Sequence, residues 1–208
     1  MMQGMFRSRV IEYLILANAF MFIVSLAAPK PVLYYLALTP AYVLRMPWTL
    51  VTNMFIHYDF THIFFNMLFG VLMFGTYLER LIGEREFAKV YFIGGAAAAI
   101  FYVLISLAFG IPDPRTPAIG ASGAVFAVIG ALVILRPNMQ IFMYFLFPMP
   151  LWVFALFYIM YGVFAIPTMG GGGVAITAHL GGLLAGLMMG RRYRRETQPP
   201  EYGYVRYY

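Results

Sequence analysis

The chain has 208 residues, 62% of them hydrophobic and 11% charged, with a mean hydropathy of +0.80. A soluble domain must face water over its whole outside and cannot hide that much apolar surface, so a soluble globular class is excluded. The net charge of +6 is accounted for by membrane orientation and attraction to anionic lipid without a nucleic-acid partner, and the absence of cysteine removes disulfides and thiol chemistry.

Apolar runs broken by charges and Gly/Pro clusters predict spans near residues 11–28, 60–79, 87–109, 121–135, 150–167 and 175–190. The expectation is an all-α membrane protein of six transmembrane helices, with a membrane domain over 1–190 and a basic, Tyr/Pro-rich, poorly ordered tail over 191–208. The first run follows Arg7 and Arg9, the pattern of a signal peptide, but Pro29 disfavours cleavage after Ala28 and the run reads as a spanning helix. The ~30 residues from Pro29 to Asp59 form a long connection. Its Tyr34, Tyr35, Tyr42 and Trp48 suit either a segment lying in the outer interface or an ordinary aromatic belt. Ile141 to Met149 is apolar but closed by Pro148 and Pro150, and reads as a connection into the fifth helix. Eleven lysines and arginines fall on the amino-terminal side of this topology and three, Lys30, Arg45 and Arg115, on the other. That bias predicts cytosolic termini and polar sites that open to the extracytoplasmic side, and the small size and bare architecture fit a prokaryotic cell membrane.

Polar groups within a membrane are expensive and mark function by default. At a rise of ~1.5 Å per residue, Ser122 lies roughly 21 Å above Arg136, His179 roughly 18 Å above Arg191, and Asn66 roughly 21 Å above Arg80. His62 stands one turn higher than Asn66. The fourth span, at ~15 residues, is too short for a ~30 Å core, so its amino end must start inside the membrane. The preceding Ile111 to Gly120 then cannot face lipid, because its backbone would be unsatisfied, and should line a wet depression. Gly182, Gly186 and Gly190 share one face of the sixth helix with His179, and Gly123, Ala127 and Ala131 form a matching small face beside Ser122.

A serine hydroxyl needs a neighbouring base, and histidine is the usual one. Ser122 opens its helix, so free N–H groups there suit an oxyanion. His62 and Asn66, four residues apart on one face, could add donors. Asp59 and Thr61 are expected to cap that helix. None of the eight acids falls near the depth of His179, which favours a dyad over a triad. A histidine in a membrane could instead relay protons or bind metal. With two histidines and no inward carboxylate or cysteine, no metal site is expected, and acyl transfer needs no cofactor.

His57-Tyr-Asp-Phe-Thr-His62-Ile-Phe-Phe-Asn66 resembles the H-x4-H-x3-N signature of rhomboid proteases. Gly120-Ala-Ser122-Gly123 resembles their G-x-S-G motif, and Ala178-His179-Leu-Gly-Gly182-Leu-Leu-Ala-Gly186 their A-H-x-x-G-x-x-x-G helix. All three stand in family order, and the resemblance covers about residues 10 to 190. It implies a six-helix rhomboid-like fold with Ser122 as nucleophile and His179 as base. It implies oxyanion stabilisation and positioning by His62, Asn66, Gly120, Gly123 and the Ser122 N–H, with supporting places for His57, Phe126, Gly182 and Gly186. Substrates would be single-pass membrane proteins cut near the outer end of their spanning helix. Trp152, Phe154, Phe157 and Tyr158 would belong to a lateral gate, and Gly170 to Gly173 to a mobile cap loop. Family members often carry tyrosine where this chain has Phe126, which implies altered imidazole positioning and slower turnover. Two rivals remain: a rhomboid-fold client binder without proteolysis, and a small transporter or proton pore. The second would want a charged path below Ser122 and His179, where the helices read apolar.

Overall fold

A computed structural model of the chain describes residues 9–143, 147–166 and 173–197. It is mostly helical. Helix α1 (Arg9–Ala27) is followed by the short α2 (Pro29–Leu36) and α3 (Thr49–Thr52), with single 3-10 turns between and after them. Thus the connection between the first two spans is a folded cap: Trp48 Nε1 donates to the Tyr35 carbonyl at 2.8 Å and Thr52 Oγ1 to the Leu36 carbonyl at 2.9 Å.

The second span begins as α4 (Phe60–Phe65), widens into a π-helical stretch over Asn66–Gly75, and closes as α5 (Thr76–Ile82). Asp59 alone caps it, accepting from the His62 N–H at 2.7 Å; Thr61 lies inside the first turn. The depth estimate for Asn66 assumed an α-helical rise throughout, which the π stretch does not have. Gly83, at φ +86°, turns the chain into α6 (Glu84–Phe109). Helix α7 (Ser122–Leu135) is apolar on every side and almost wholly buried, as befits the central helix of a bundle. Its 14 residues span roughly 21 Å.

The connection after α7 is a small antiparallel hairpin, β1 (Gln140–Met143) with β2 (Phe147–Pro150), the one pair of strands among the described residues. Pro148 and Pro150 lack the N–H that a helix needs, and a two-stranded edge tolerates them. Helices α8 (Leu151–Ala165) and α9 (Gly173–Thr197) complete the bundle. Helix α9 does not stop at Gly190 but runs through the basic cluster. Tyr193 is buried there, and its hydroxyl donates to Glu86 Oε2 at 2.8 Å, tying the end of α9 to the start of α6. Residues 198–208 of the expected tail and Gly170 to Gly172 of the expected cap loop lie outside the described residues.

Among the described residues, three segments, Arg9–Ala27, Phe60–Ile82 and Glu84–Phe109, are long and apolar enough to cross a membrane, and α7 and α8 are shorter apolar helices. The outward faces of α1 and α8 carry exposed Phe20, Ile23, Leu26, Phe157, Met160 and Phe164, a surface for lipid rather than water.

The tightest contact is α7 against α9, backbone on backbone. A Cβ on Gly182 would strike the Gly123 carbonyl oxygen, one on Gly186 the Ala127 carbonyl oxygen, and one on Gly190 the Ala131 oxygen at 2.9 Å. The two small faces therefore mesh rung by rung, and α7 and α9 approach as close as backbones can.

Candidate active site

Ser122 is the first residue of α7, and the loop before it determines where that helix starts. Residues 111–120 are stitched to the cap and to α6. Leu38 and Ala118 exchange backbone bonds at 3.0 and 2.8 Å, and the Ala41 N–H donates to Pro114 O at 2.9 Å. The Gly120 N–H donates to Asn53 O at 2.9 Å, while Ser106 Oγ and Tyr102 Oη donate to the Pro112 and Thr116 carbonyls, each at 2.7 Å. Protein groups thus satisfy this irregular backbone, as the membrane interior requires.

From α9, His179 presents Nε2 2.7 Å from Ser122 Oγ. The Phe126 ring, one helical turn beyond Ser122, stacks on the His179 imidazole with centroids 4.2 Å apart and planes 10° apart. Beyond the imidazole, Tyr158 Oη lies 2.7 Å from His179 Nδ1. In the sequence Tyr158 is one of several aromatics expected at a gate, and nothing there marks a phenol from α8 as a third group beside Ser122 and His179. Trp152 and Phe157 do face outward, whereas Phe154 packs near Phe126 with centroids 6.3 Å apart.

The two other histidines sit on the far side of Ser122. His57 is buried, and its Nε2 accepts from the Ala121 N–H at 3.4 Å, so it holds the loop that carries the serine. Burial, with His62 as neighbour, pushes His57 down to about 3, and it stays neutral. The rings of His57 and His62 meet edge-on at 4.9 Å. His62 Nδ1 accepts from the Tyr58 N–H at 3.3 Å, which leaves the proton on Nε2 as a donor. Asn66 is buried, and its amide donates one N–H to the His62 carbonyl at 2.9 Å, with the second still to spend.

Gly120 explains why His62 can come so near. Its φ is +116°, a conformation that side chains avoid, and a Cβ there would sit 2.7 Å from His62 Nε2 and 3.7 Å from Ser122 Oγ. Gly120→Ala is therefore expected to displace the His62 ring from its place beside Gly120 and to cost activity at little change in overall fold, checked by specific activity alongside thermal stability of the purified variant.

Ser122, His179, Phe126, Gly120, His62 and Asn66 line one cavity of about 1160 Å³, with His57 and Tyr158 behind its wall. One wall is the second span, with His62, Phe65, Asn66, Phe69 and Met73; the others are the start of α7, Phe154 of α8, and His179. The cavity reaches the hairpin at Ile141 and Phe142. Such an arrangement, a hydroxyl bonded to an imidazole at a helix amino terminus with N–H donors nearby, is suited to acyl transfer.

The Rhomboid domain family model matches residues 44–196. The chain is 31% identical to RHOMBOID-like protein 12, mitochondrial, of Arabidopsis thaliana, over 71% of its own length and 46% of that protein's. It is 32% identical to Rhomboid-like protease 1 of Toxoplasma gondii, over 72% of its own length and 48% of the relative's. It is also 31% identical, over 41% of its length and 22% of the relative's, to a protein of Arabidopsis thaliana named Inactive RHOMBOID-like protein 8. The chain thus spans under half the length of these curated relatives.

Proposed function

The chain belongs to the rhomboid family, and from that premise we propose that it is an intramembrane serine endopeptidase working through a dyad of Ser122 and His179. The observation that carries this reading is the 2.7 Å approach of His179 Nε2 to Ser122 Oγ on the wall of the cavity. Ser122 Oγ attacks the scissile carbonyl while His179 Nε2 takes its proton, and His179 then returns that proton to the leaving amine. Water repeats the sequence on the acyl-enzyme. Oxyanion stabilisation falls to the Ser122 N–H at the start of α7, to the His62 Nε2–H and to the second N–H of Asn66.

Substrates are transmembrane segments of single-pass membrane proteins. The apolar wall of the second span and the lipid-facing side of α8 support entry from the bilayer. The basic residues gathered at the ends of α5, α7 and α9 support cytosolic termini and a cavity opening to the extracytoplasmic side of a cell membrane.

The decisive experiment uses purified protein in liposomes with a model transmembrane substrate, beside labelling by a fluorophosphonate. Cleavage by the wild type, lost in Ser122→Ala and His179→Ala, with the label mapped to Ser122, supports the protease. Substrate binding with neither cleavage nor label would favour a non-proteolytic client binder, a reading to which the relative named inactive gives some support. Within the protease reading, His62→Ala is expected to lower kcat by about 10²- to 10³-fold with a much smaller change in KM, since an oxyanion donor acts in the transition state. Steady-state kinetics of the variant check this.

A further inference from the structure

We propose that Tyr158 is the positioning residue for His179, holding the imidazole in the tautomer and orientation that Ser122 requires. The proposal rests on the reading of Ser122 and His179 as nucleophile and base. To accept the Ser122 proton, His179 Nε2 must carry the lone pair, so the ring proton must reside on Nδ1. Nδ1 is 2.7 Å from Tyr158 Oη, and a phenol oxygen can accept that N–H. When Nε2 is protonated, the same bond becomes charge-assisted and strengthens. A neutral phenol thus occupies the place that a carboxylate fills in a serine protease triad.

The second support is geometric. Stacking on Phe126, with planes 10° apart, fixes the plane of the imidazole but leaves it able to make a half-turn about Cβ–Cγ, which keeps the plane and exchanges the ring edges. The Tyr158 bond removes that rotation, so the two contacts together fix both coordinates. Tyr158 itself is braced, its ring 4.6 Å from Phe126 and 5.9 Å from Phe154. A hydroxyl on residue 126 could not replace it, because a stacked ring carries its para substituent out of the imidazole plane. The bond also comes from a third helix. Helices α7 and α9 are locked by backbone contact, whereas a Cβ added at Gly162 of α8 would meet the Ile176 and Leu180 side chains of α9 at an ordinary 3.5 Å. Displacement of α8 would therefore release the imidazole without separating the dyad helices.

The test is Tyr158→Phe, which keeps the braced ring and removes only the hydroxyl. In liposomes, kcat for a transmembrane substrate is expected to fall about 10- to 100-fold with KM within about twofold of wild type and an unchanged thermal midpoint. Phe126→Tyr added to Tyr158→Phe is expected not to restore the rate. Since the chain has three histidines, ¹⁵N imidazole spectra of wild type, Tyr158→Phe and His179→Ala resolve His179 independently of activity. A single Nδ1–H tautomer in wild type, mixed in Tyr158→Phe, is the expected signature. A kcat within about twofold of wild type, a fall shared equally by KM or thermal midpoint, or an unchanged tautomer would overturn the proposal. If the wild type fails to cleave, the protease reading fails, and the tautomer spectra still decide the role of Tyr158.

Discussion

Ser122→Ala and His179→Ala should each lower kcat on a transmembrane substrate by about 10⁴-fold or more, and the double variant should be no slower than either. The reason lies in what the 2.7 Å bond does. A serine hydroxyl is a poor nucleophile until its proton has somewhere to go, and the imidazole has nothing to activate without the hydroxyl. Each substitution therefore removes the same step, and the losses do not add. What survives is the electrostatic part, since the Ser122 N–H, His62 and Asn66 still face the substrate carbonyl. Fluorophosphonate labelling should disappear in Ser122→Ala and slow sharply in His179→Ala, because the reagent reads nucleophilicity rather than substrate binding. Thermal unfolding in detergent checks that neither variant is merely misfolded. His179→Ala is the more demanding control, since it leaves Phe126 and Tyr158 without the ring they enclose. Cleavage at equal rates by all three proteins would trace the activity to a contaminant and remove the dyad from the account.

The bundle was legible in the sequence because bilayer thickness and the cost of unpaired backbone leave few alternatives. The expected spans differ from the observed helices by a few residues at their ends, apart from the carboxy-terminal end of α9. There a basic run reads as solvated tail, whereas the bond from Tyr193 to Glu86 across 107 positions keeps it helical. The hairpin after α7 was missed for a related reason. Its prolines signalled the end of a helix, but the pairing of Ile141 with Met149 depends on where the chain returns. In the site, spacing along single helices brought Ser122, His179, His62 and Asn66 to one depth. Residues whose role depends on a neighbouring helix were harder. Tyr158 reads as one aromatic among many on α8, and depth from one end of a helix says nothing about tilt. Composition gave no signal for the π-helical turn starting at Asn66. Nor did any signal mark the edge-on meeting of His57 and His62, which depends on the Asp59 cap and on Gly120 having no side chain.

Gly186→Leu should abolish folded, active protein, and Gly186→Ala should already impair both. On helix propensity alone, glycine to alanine in a helix interior gains about 1 kcal/mol. That gain applies in α8, where a Cβ on Gly162 meets Ile176 and Leu180 at 3.5 Å, ordinary contact; Gly162→Ala is the neutral or stabilising control. At Gly186 the same methyl meets backbone. It would strike the Ala127 carbonyl oxygen, with the Ala127 carbonyl carbon at 2.7 Å and Cα at 2.8 Å, and main chain cannot swing aside as a side chain does. Helices α7 and α9 must separate by roughly half an ångström or more, and overpacking of this kind costs about 1–3 kcal/mol for a methyl and more for a leucine. Helix α7 carries Ser122 and α9 carries His179, so the displacement also falls on their hydrogen bond. A bond now at 2.7 Å would stretch to or beyond the ~3.2 Å reach of a general base. Displacements of about 1 Å at a reacting centre cost about 10²-fold. The measurement is thermal midpoint and kcat for the three variants in one detergent. A Gly186→Ala protein as stable and active as Gly162→Ala would mean that α7 and α9 do not meet backbone to backbone, and the geometry of the dyad would lose its foundation.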